Sequence, residues 1–338
     1  MEILLTGATG FVGSYVLDGL LRDGHSVCIV KRKTSKTDRI EKNIRKCRVY
    51  DWEELTPKKI YKEVPIECII HCATYYGRSG HEYLKNIESN LLFPMQVLYS
   101  GVENRVKYFI NTDTFFGKRI QSEEDWDEKQ YLGGYVLSKN QFRQWGRMLA
   151  AEYGMGFINM RLEHVYGEKD DASKFIPYVV GQCKSHVPAV ELSGGNQERD
   201  FIHISDVVNA YKTVIHRLEE EETQGYMEYG VGTGRSWKLR EFVEIIHGAV
   251  KSRTQLKWGA VKMKNGEIMH SQADNIELRK LGWNPCIVDK QSIEHVFSDW
   301  GGVFKKFFIG CFCNTLQAAF RIPFCCKYGN GIWEGLSI

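Results

Sequence analysis

Three glycines near the start of the chain restrict its fold more than any other feature. They stand at Gly7, Gly10 and Gly13, between a strand-like segment and an amphipathic stretch of helix length. At this spacing the first glycine permits a tight turn, the second lets backbone approach a pyrophosphate, and the third lets the helix pack closely on a sheet. The first turn of such a helix offers backbone N–H groups to phosphates. We therefore predict a dinucleotide site, whose contact residues are Gly7, Thr9, Gly10, Phe11, Val12 and Gly13.

Apolar runs of strand length alternate with amphipathic stretches of helix length through the first half of the chain. The predicted strands are Glu2–Leu5, Ser26–Val30, Cys68–His71, Tyr108–Asn111, Phe157–Arg161 and Phe201–Ile204. The predicted helices are Phe11–Leu21, Leu84–Glu103, Tyr135–Tyr153 and one that begins near Asp206. Such alternation is typical of βαβ units. It predicts an α/β fold with a doubly wound parallel sheet of the Rossmann type.

Two segments interrupt this alternation. Residues 165–200 are rich in glycine, proline and charge, and a second mixed segment begins near residue 236. We predict a dinucleotide-binding domain from 1–164 plus about 201–235, and a smaller mixed α/β substrate domain from 165–200 plus about 236–300. The remaining residues, 301–338, hold four of the ten cysteines and many aromatics. This atypical tail is interpreted as a peripheral appendage or an atypical end of the reading frame, with a weak interfacial membrane anchor as the alternative.

Charge and hydropathy exclude several kinds of partner. Lys and Arg number 45 against 42 for Asp and Glu, a net charge of +3 that gives no electrostatic case for nucleic acid. No run of about 18 apolar residues is present, so we predict no transmembrane segment. Ten cysteines without an export signal indicate a reducing compartment. We expect a cytoplasmic protein.

The end of the second predicted strand bears on the ribose of the dinucleotide. Sites that prefer NAD usually carry an acid roughly 20 residues beyond the glycines, which binds the 2′-hydroxyl. This chain has Lys31, Arg32 and Lys33 there instead. Three cations suit a 2′-phosphate, so NADP(H) is predicted, with NAD(H) bound through other contacts as the alternative. Asp51, after the next strand-like segment, is interpreted as an acceptor for the adenine amine.

A phenol and an ammonium occur four residues apart on one predicted helix. Tyr135 and Lys139 therefore share a helical face. Near a nicotinamide ribose, the ammonium is expected to lower the pKa of the phenol, which then exchanges a proton near neutral pH. Thr112, at the end of a predicted strand, supplies a hydroxyl to hold the substrate oxygen. We predict that Thr112, Tyr135 and Lys139 are the catalytic residues.

Together these residues resemble the extended short-chain dehydrogenase/reductase family, in particular its NAD-dependent epimerase/dehydratase group, which acts on nucleotide sugars. The resemblance spans roughly residues 1–300. Its motifs occur in the family's order as Gly7–Gly13, His71–Thr74, Asn90, Asn111–Gly117, Tyr135-x-x-x-Lys139, Arg161–Gly167 and Arg199–Phe201. The resemblance implies a homodimer formed through the predicted helices Leu84–Glu103 and Tyr135–Tyr153.

The resemblance also implies further site residues. On the cofactor side it adds Ala73, Thr74, Asn90 and Leu162 to the catalytic pair. On the substrate side it implies Thr74, Arg78, Thr112, Asp113, Thr114, His164, Lys174, Phe175, Arg199 and Lys264. His164 stands where the family usually has Asn or Ser. Arg199 matches an arginine that contacts the diphosphate, and a local ion pair with Asp200 is the alternative.

One departure from the family's motif reduces the number of reactions expected of this chain. Members that eliminate water are expected to have Thr-Asp-Glu after this strand, whereas this chain has Thr112, Asp113 and Thr114. Without an acid at Thr114 the elimination lacks its base, so we do not expect a dehydratase.

Among the remaining members, the chain is most similar to the CDP-paratose and CDP-abequose synthase type of 4-ketoreductase, which makes O-antigen sugars. The shared segments are Tyr75–Arg78, Leu162–His164 and Gln197–Phe201. The resemblance implies NADP(H)-dependent reduction of the 4-keto group of a nucleotide-activated, CDP-linked deoxyhexose for cell-surface polysaccharide. A nucleotide-sugar 4-epimerase with tightly bound NAD and a non-catalytic NADP(H)-binding sensor are the alternatives.

Overall fold

The computed structural model describes residues 1–52, 57–77, 82–119, 132–263 and 267–301. Its strands are β1 (Glu2–Thr6), β2 (Ser26–Lys31), β3 (Arg48–Asp51), β4 (Cys68–His71), β5 (Tyr108–Thr114), β6 (Gly156–Leu162), β7 (His164–Tyr166), β8 (Ala189–Leu192), β9 (Glu198–Arg199), β10 (Phe201–His203), β11 (Gly225–Val231), β12 (Trp237–Lys238) and β13 (Gln255–Trp258). Its helices are α1 (Phe11–Arg22), α2 (Pro57–Glu63), α3 (Tyr83–Ile87), α4 (Phe93–Glu103), α5 (Gly133–Tyr153), α6 (Phe175–Lys184), α7 (Ile204–Glu220), α8 (Leu239–Ala249), α9 (Ile276–Lys280) and α10 (Lys290–Ser298). A π-helical turn, Glu88–Leu92, joins α3 to α4. Within these ranges no helix is both long and apolar enough to cross a membrane.

Seven parallel strands form the central sheet, in the order β11-β6-β5-β4-β1-β2-β3. The predicted Rossmann-type sheet is therefore confirmed. Its inner strands are continuous apolar runs because helices cover both of their faces; Ile3 and Leu5 of β1 and Ile69 and Ile70 of β4 are fully buried. The strand order reverses between β1 and β4, and in such sheets ligands bind at the carboxyl ends of the strands beside that point.

Two helical layers flank the sheet. One layer contains α1 and α7, and the other contains α4 and α5, with a separate apolar cluster under each. Helix α5 lies very close to the sheet because Gly146 has no side chain. A Cβ at Gly146 would lie 2.2 Å from the ring of Phe157 on β6. This close approach fixes the distance between the first turn of α5 and the sheet edge that carries the site.

The second half of the chain adds three small sheets. They pair β10 with β7, β12 with β9, and β13 with β8. The predicted strand Phe201–Ile204 is β10, and it pairs with β7 outside the central sheet. The edge strand next to β6 is β11, which we did not predict because its residues are mostly half-buried and form no apolar run. The proposed division into two domains remains a prediction, and the tail 302–338 lies outside the described residues.

Candidate active site

The glycine turn after β1 forms a close-packed loop. Gly7 has a φ of +72°, and a Cβ there would lie 2.4 Å from the backbone nitrogen of Ala73. The N–H of Gly10 donates to the carbonyl of Gly7 at 2.9 Å, and a Cβ at Gly13 would lie 2.2 Å from that same oxygen. No side chain caps α1, which begins at Phe11. The loop, with Thr9 and Val12, thus presents backbone to the cleft and fits a dinucleotide pyrophosphate.

The predicted 2′-phosphate site contains an ion pair. The ammonium of Lys31 lies 2.7 Å from the carboxylate of Asp51. Two residues predicted to contact different parts of the cofactor therefore bind each other. Arg32 and Lys33 are exposed beside this pair. The charge of Lys31 is largely offset by Asp51, which leaves Arg32 and Lys33 as the cations offered to solvent here.

A further arginine, which we did not predict, lies over the glycine loop. The guanidinium of Arg39 donates to the carbonyl of Thr9 at 3.4 Å and to the carbonyl of Lys169 at 2.9 Å. It belongs to a 3-10 turn eight residues beyond β2. No local spacing rule connects such a turn to the loop, so this contact could not be predicted from the residues around Arg39. Arg39 places a cation beside the predicted pyrophosphate site.

The predicted catalytic pair lies on the first two turns of α5. Tyr135 and Lys139 are 4% and 2% exposed, respectively. The ammonium of Lys139 donates to the backbone carbonyl of Thr112 at 2.8 Å. Burial lowers the pKa of Lys139, and burial raises the pKa of Tyr135 well above its usual value. The expected lowering of the Tyr135 pKa by Lys139 is therefore not found, because the loss of hydration dominates.

The hydroxyl beside Tyr135 belongs to Thr114. Its side chain opposes part of the rise in the pKa of Tyr135. The hydroxyl of Thr112, by contrast, lies 2.6 Å from that of Tyr211 on α7 and donates to the Cys72 sulfur at 3.2 Å. Residues two apart on a strand point to the same side, so the sequence did not distinguish the two threonines. The predicted catalytic role of Thr112 remains a prediction, while Thr114 is the hydroxyl in contact with the phenol.

A second phenol also contacts Tyr135. The ring centres of Tyr76 and Tyr135 are 4.8 Å apart with the planes inclined by 30°. We did not predict Tyr76 as a site residue, although it belongs to the segment Tyr75–Arg78 that carried the resemblance. It lies on the loop that follows β4, the neighbour of β1 at the point where strand order reverses.

Asn90 holds this loop in place. Its amide accepts from the N–H of Tyr75 and donates to the carbonyl of Tyr75, both at 2.8 Å. It also accepts from the hydroxyl of Thr74 and donates to that of Ser138 on α5, each at 3.2 Å. Asn90 is fully buried and lies in the π-helical turn. Predicted as a cofactor contact, it connects the loop after β4 to the helix of the catalytic pair.

Lys174 extends a cation across the cleft. Its ammonium pairs with Asp170 at 2.7 Å. It also lies 5.4 Å from the ring centre of Phe11, at the start of α1, and 5.5 Å from that of Tyr76. Phe175, the next residue, is 38% exposed and begins α6. Lys174 therefore lies between the glycine loop and Tyr76, and its role as a substrate contact, implied with Phe175 for the nucleotide base, remains a prediction.

The remaining substrate residues form a second wall. His164 packs against the ring of Phe115 at 4.4 Å, and burial, aided by the charge of Arg199, lowers its pKa to about 3. Arg199 pairs with Glu267 at 3.4 Å, whereas Asp200 accepts hydrogen bonds from the backbone of the 233–234 turn. Phe115 also lines a cavity of about 660 Å³, together with Glu163, Gly234, Ile268 and residues 270–276. A neutral imidazole thus packs against a residue that lines this pocket.

Of four other predicted residues, two lie inside the described ranges. Asp113 accepts from Asn159 at 2.9 Å and pairs with Arg143 of α5 at 3.5 Å, so its carboxylate belongs to a buried network under the sheet. Leu162 is buried at the end of β6, in register with Thr114. Arg78 and Lys264 lie outside the described residues.

Comparison with known proteins gives consistent similarities. A model of the NAD dependent epimerase/dehydratase family matches residues 3–232. The CDP-abequose synthase of Salmonella muenchen is 37% identical over 300 residues, which cover 88% of this chain and 97% of that protein. The CDP-abequose synthase of Salmonella typhimurium is 33% identical over 297 residues, covering 87% and 96%.

Among solved structures, the UDP-glucose 4-epimerase of Stenotrophomonas maltophila, with bound NAD and a formylated UDP-arabinopyranose, superposes with a TM-score of 0.74. The superposition covers 89% of this chain and 97% of that one at 20% identity. At this identity the similarity concerns the fold.

Proposed function

Because the chain belongs to the NAD-dependent epimerase/dehydratase family, whose members here are nucleotide-sugar enzymes, we propose that it reduces the 4-keto group of a CDP-linked deoxyhexose with NADP(H). The observation that carries this proposal is Thr114 at the end of β5, a hydroxyl at the position where elimination of water requires an acid. A threonine orients an oxygen but does not remove a carbon-bound proton at neutral pH. Reduction needs only that orientation and a proton donor.

Tyr135 is suited to donate that proton. When bound, the reduced nicotinamide supplies a hydride for the sugar C4. Tyr135 gives its hydroxyl proton to O4 as negative charge develops there. Burial raises its pKa, so the phenol remains protonated before the reaction, which is the state that a reductase requires.

The substrate is proposed from the relatives and the cleft. The CDP-abequose synthases of Salmonella muenchen and Salmonella typhimurium are 37% and 33% identical to this chain, over 88% and 87% of its length. Lys174 and Arg199 supply cations for the diphosphate, since ammonium and guanidinium groups both bind phosphate oxygens. His164 and Phe175 adjoin them. We assign this side of the cleft to the proposed substrate domain, 165–200 plus about 236–300. We propose that the product is used in the synthesis of cell-surface polysaccharide.

We propose NADP(H) as the cofactor because Arg32 and Lys33 are exposed at the end of β2 and Arg39 lies over the glycine loop. The ion pair between Lys31 and Asp51 favours the second candidate, a 4-epimerase that retains NAD, because it offsets one cation and leaves an acid near the ribose. A structural neighbour with this activity contains NAD. Consumption of added cofactor distinguishes the two functions.

The test is a cofactor-consumption screen of the purified chain with CDP-, dTDP-, GDP- and UDP-linked 4-keto deoxysugars. We expect stoichiometric oxidation of NADPH with the CDP sugar. Tyr135→Phe should reduce the rate about 10²- to 10⁴-fold while retaining cofactor affinity, and Tyr153→Phe, half-exposed at the other end of α5, should behave as wild type. Turnover without added cofactor supports the epimerase. Cofactor binding without turnover of any keto sugar supports the sensor.

A homodimer is proposed from an apolar surface. Helices α3, α4 and α5 pack together and carry large apolar side chains that are 39–74% exposed. These are Tyr83, Leu84, Ile87, Tyr99, Leu137, Trp145, Met148 and Tyr153. Contiguous apolar surface of this kind marks association sites. A second copy of the chain presents the same surface, as a two-fold interface requires. The cytoplasmic location remains a prediction from the sequence.

A further inference from the structure

We propose that Asp113 is a positioning residue, whose carboxylate connects the end of β5 to helix α5 and so places Lys139 and Tyr135 at the reacting carbonyl without touching the substrate. The inference rests on the proposed function, because it takes the pair on α5 as the groups that act on that carbonyl. The resemblance implies a substrate contact for Asp113 instead. The side chain of Asp113 is only 2% exposed, which leaves almost no surface for a sugar to contact.

The carboxylate of Asp113 fixes the backbone at the end of β5. One of its oxygens accepts from the N–H of Thr114 at 2.8 Å, and Thr114 carries the hydroxyl beside Tyr135. The residue on the other side, Thr112, accepts from the ammonium of Lys139 through its backbone carbonyl at 2.8 Å. Asp113 therefore lies between the two residues of β5 that face the pair on α5.

The other oxygen of the carboxylate faces α5. It lies 3.5 Å from the guanidinium of Arg143, which is one helical turn beyond Lys139 on the same face of the helix. The guanidinium also donates to the side-chain oxygen of Asn140 at 2.5 Å, and the Arg143 side chain is 16% exposed. Because it is held at two points, Arg143 fixes α5 against the end of β5 close to the level of Lys139.

A row of polar side chains across three strands keeps the carboxylate in place. Asn111, Asn159 and Glu228 are in register on β5, β6 and β11. Asn159 accepts from Asn111 at 2.7 Å, and its amide donates both to Glu228 and to Asp113 at 2.9 Å. Arg161 pairs with Glu228 at 2.7 Å. The two acids are thus matched by this arginine and by the one on α5, so the buried charge of Asp113 is paired.

Asp113 also places a negative charge near Lys139. Burial lowers the pKa of Lys139, and the charge of Asp113 opposes that change. Burial keeps the other titratable neighbours of Lys139 uncharged at neutral pH; these are His71 on β4, Cys72 after it, Tyr135 on α5 and Tyr211 on α7. Within the described part of the chain, Asp113 is therefore the acid that favours the charged form of Lys139.

The kinetic test compares Asp113→Asn with Glu228→Gln. Each variant removes one charge that accepts from Asn159, but only Asp113 connects β5 to α5. With the CDP-linked keto sugar we expect Asp113→Asn to lower kcat about tenfold at unchanged KM. We also expect the alkaline limb of kcat to move about one unit toward lower pH, because Lys139 then loses its proton more readily. Glu228→Gln should keep the wild-type kcat and alkaline limb.

Two results would overturn the proposal. A raised KM in Asp113→Asn, with kcat and the alkaline limb unchanged, would make Asp113 a substrate contact. Equal changes in Glu228→Gln would assign the effect to the network as a whole. If Asp113→Asn does not fold, Arg143→Met removes the same connection from the helix side and should lower kcat about tenfold at constant KM; a wild-type kcat there would contradict the proposal. Its control is Arg147→Met, one turn further along α5 and over the ring of Tyr226, which should behave as wild type.

A second measurement needs no turnover. Urea midpoints of Asp113→Asn, Arg143→Met and the double variant form a cycle that measures the coupling between the two side chains. We expect these shifts to be non-additive, whereas those of Asp113→Asn and Arg147→Met should add. Additive shifts in the first cycle would contradict the connection between β5 and α5. If the wild type reduces no keto sugar while the coupling is present, the proposed function fails and the connection remains.

Discussion

The ammonium of Lys31 and the carboxylate of Asp51 lie 2.7 Å apart at the carboxyl ends of neighbouring strands. This pair offsets one of the cations on which the prediction of NADP(H) depends. Its charge affects the preference between NADP(H) and NAD(H), because an acid beside the ribose repels a 2′-phosphate and accepts a hydrogen bond from a 2′-hydroxyl.

Asp51→Asn should therefore strengthen the preference for NADPH over NADH. Removing the carboxylate frees Lys31 for the phosphate. A partly exposed pair of this kind is worth up to about 1 kcal/mol, or roughly a fivefold change. The ratio of kcat/KM for the two cofactors measures it. Lys31→Ala should shift the ratio in the opposite direction. Equal ratios in both variants and wild type would place the 2′ position elsewhere.

Acid should destabilise the protein partly through His203. This residue is 5% exposed, and burial lowers its pKa to about 3. Unfolding exposes the ring to water, where its pKa is near 6.5, so the unfolded state binds an extra proton between these values. Stability must then fall as pH decreases through 6.5. From pH 7.5 to 5.5 the loss is about 1.4 kcal/mol for one such histidine.

His203→Asn tests this contribution without removing a helix cap. The Nδ1 of His203 accepts from the N–H of Ser205 at the start of α7, and asparagine caps helices well but does not titrate. Between pH 7.5 and 5.5, the free energy of unfolding in urea should fall by about 1.4 kcal/mol less in the variant than in wild type. Buried Asp206, whose pKa burial raises to about 6, acts in the opposite sense in both proteins. If the variant and wild type lost the same stability between the two pH values, His203 would not titrate on unfolding.

The parts of the site that were predictable depend on local spacing. Glycines three apart after a strand, and Tyr135 with Lys139 one helical turn apart, specify their geometry within a few residues. The contacts of Tyr76, Arg39 and Lys174 depend instead on how distant segments pack. Strand alternation left Thr112 and Thr114 equivalent, and only the position of Tyr211 on α7 separates them. Strand β11 was not predicted because an edge strand needs no continuous apolar run.

The helical surface proposed for a dimer should respond to a single charge. Trp145 is 46% exposed on α5, and Leu84 is 74% exposed on α3. A lysine at Trp145 or a glutamate at Leu84 places a charge in the buried centre of an apolar interface, which weakens association by several kcal/mol unless it is paired. Sedimentation velocity should show a dimer for wild type and a monomer for Trp145→Lys. Ile276→Lys, 59% exposed on α9, is the matched control and should remain a dimer. A wild-type monomer at micromolar concentration would contradict the proposal.

Lys174 should govern the affinity for substrate rather than the rate of the chemical step. In the structure its ammonium is 24% exposed and pairs with Asp170, whose side chain is 2% exposed. An arriving diphosphate carries more charge than this single carboxylate and competes for the ammonium. Lys174→Ala should therefore raise KM for the nucleotide sugar about tenfold, the effect of losing roughly 1.4 kcal/mol of a charge-assisted contact, with kcat little changed because Tyr135 and Thr114 are intact. Lys184→Ala, at the other end of α6, should leave KM unchanged. If Lys174→Ala lowered kcat at constant KM instead, the ammonium would be acting on the reacting carbonyl or on Tyr76, not on the phosphates.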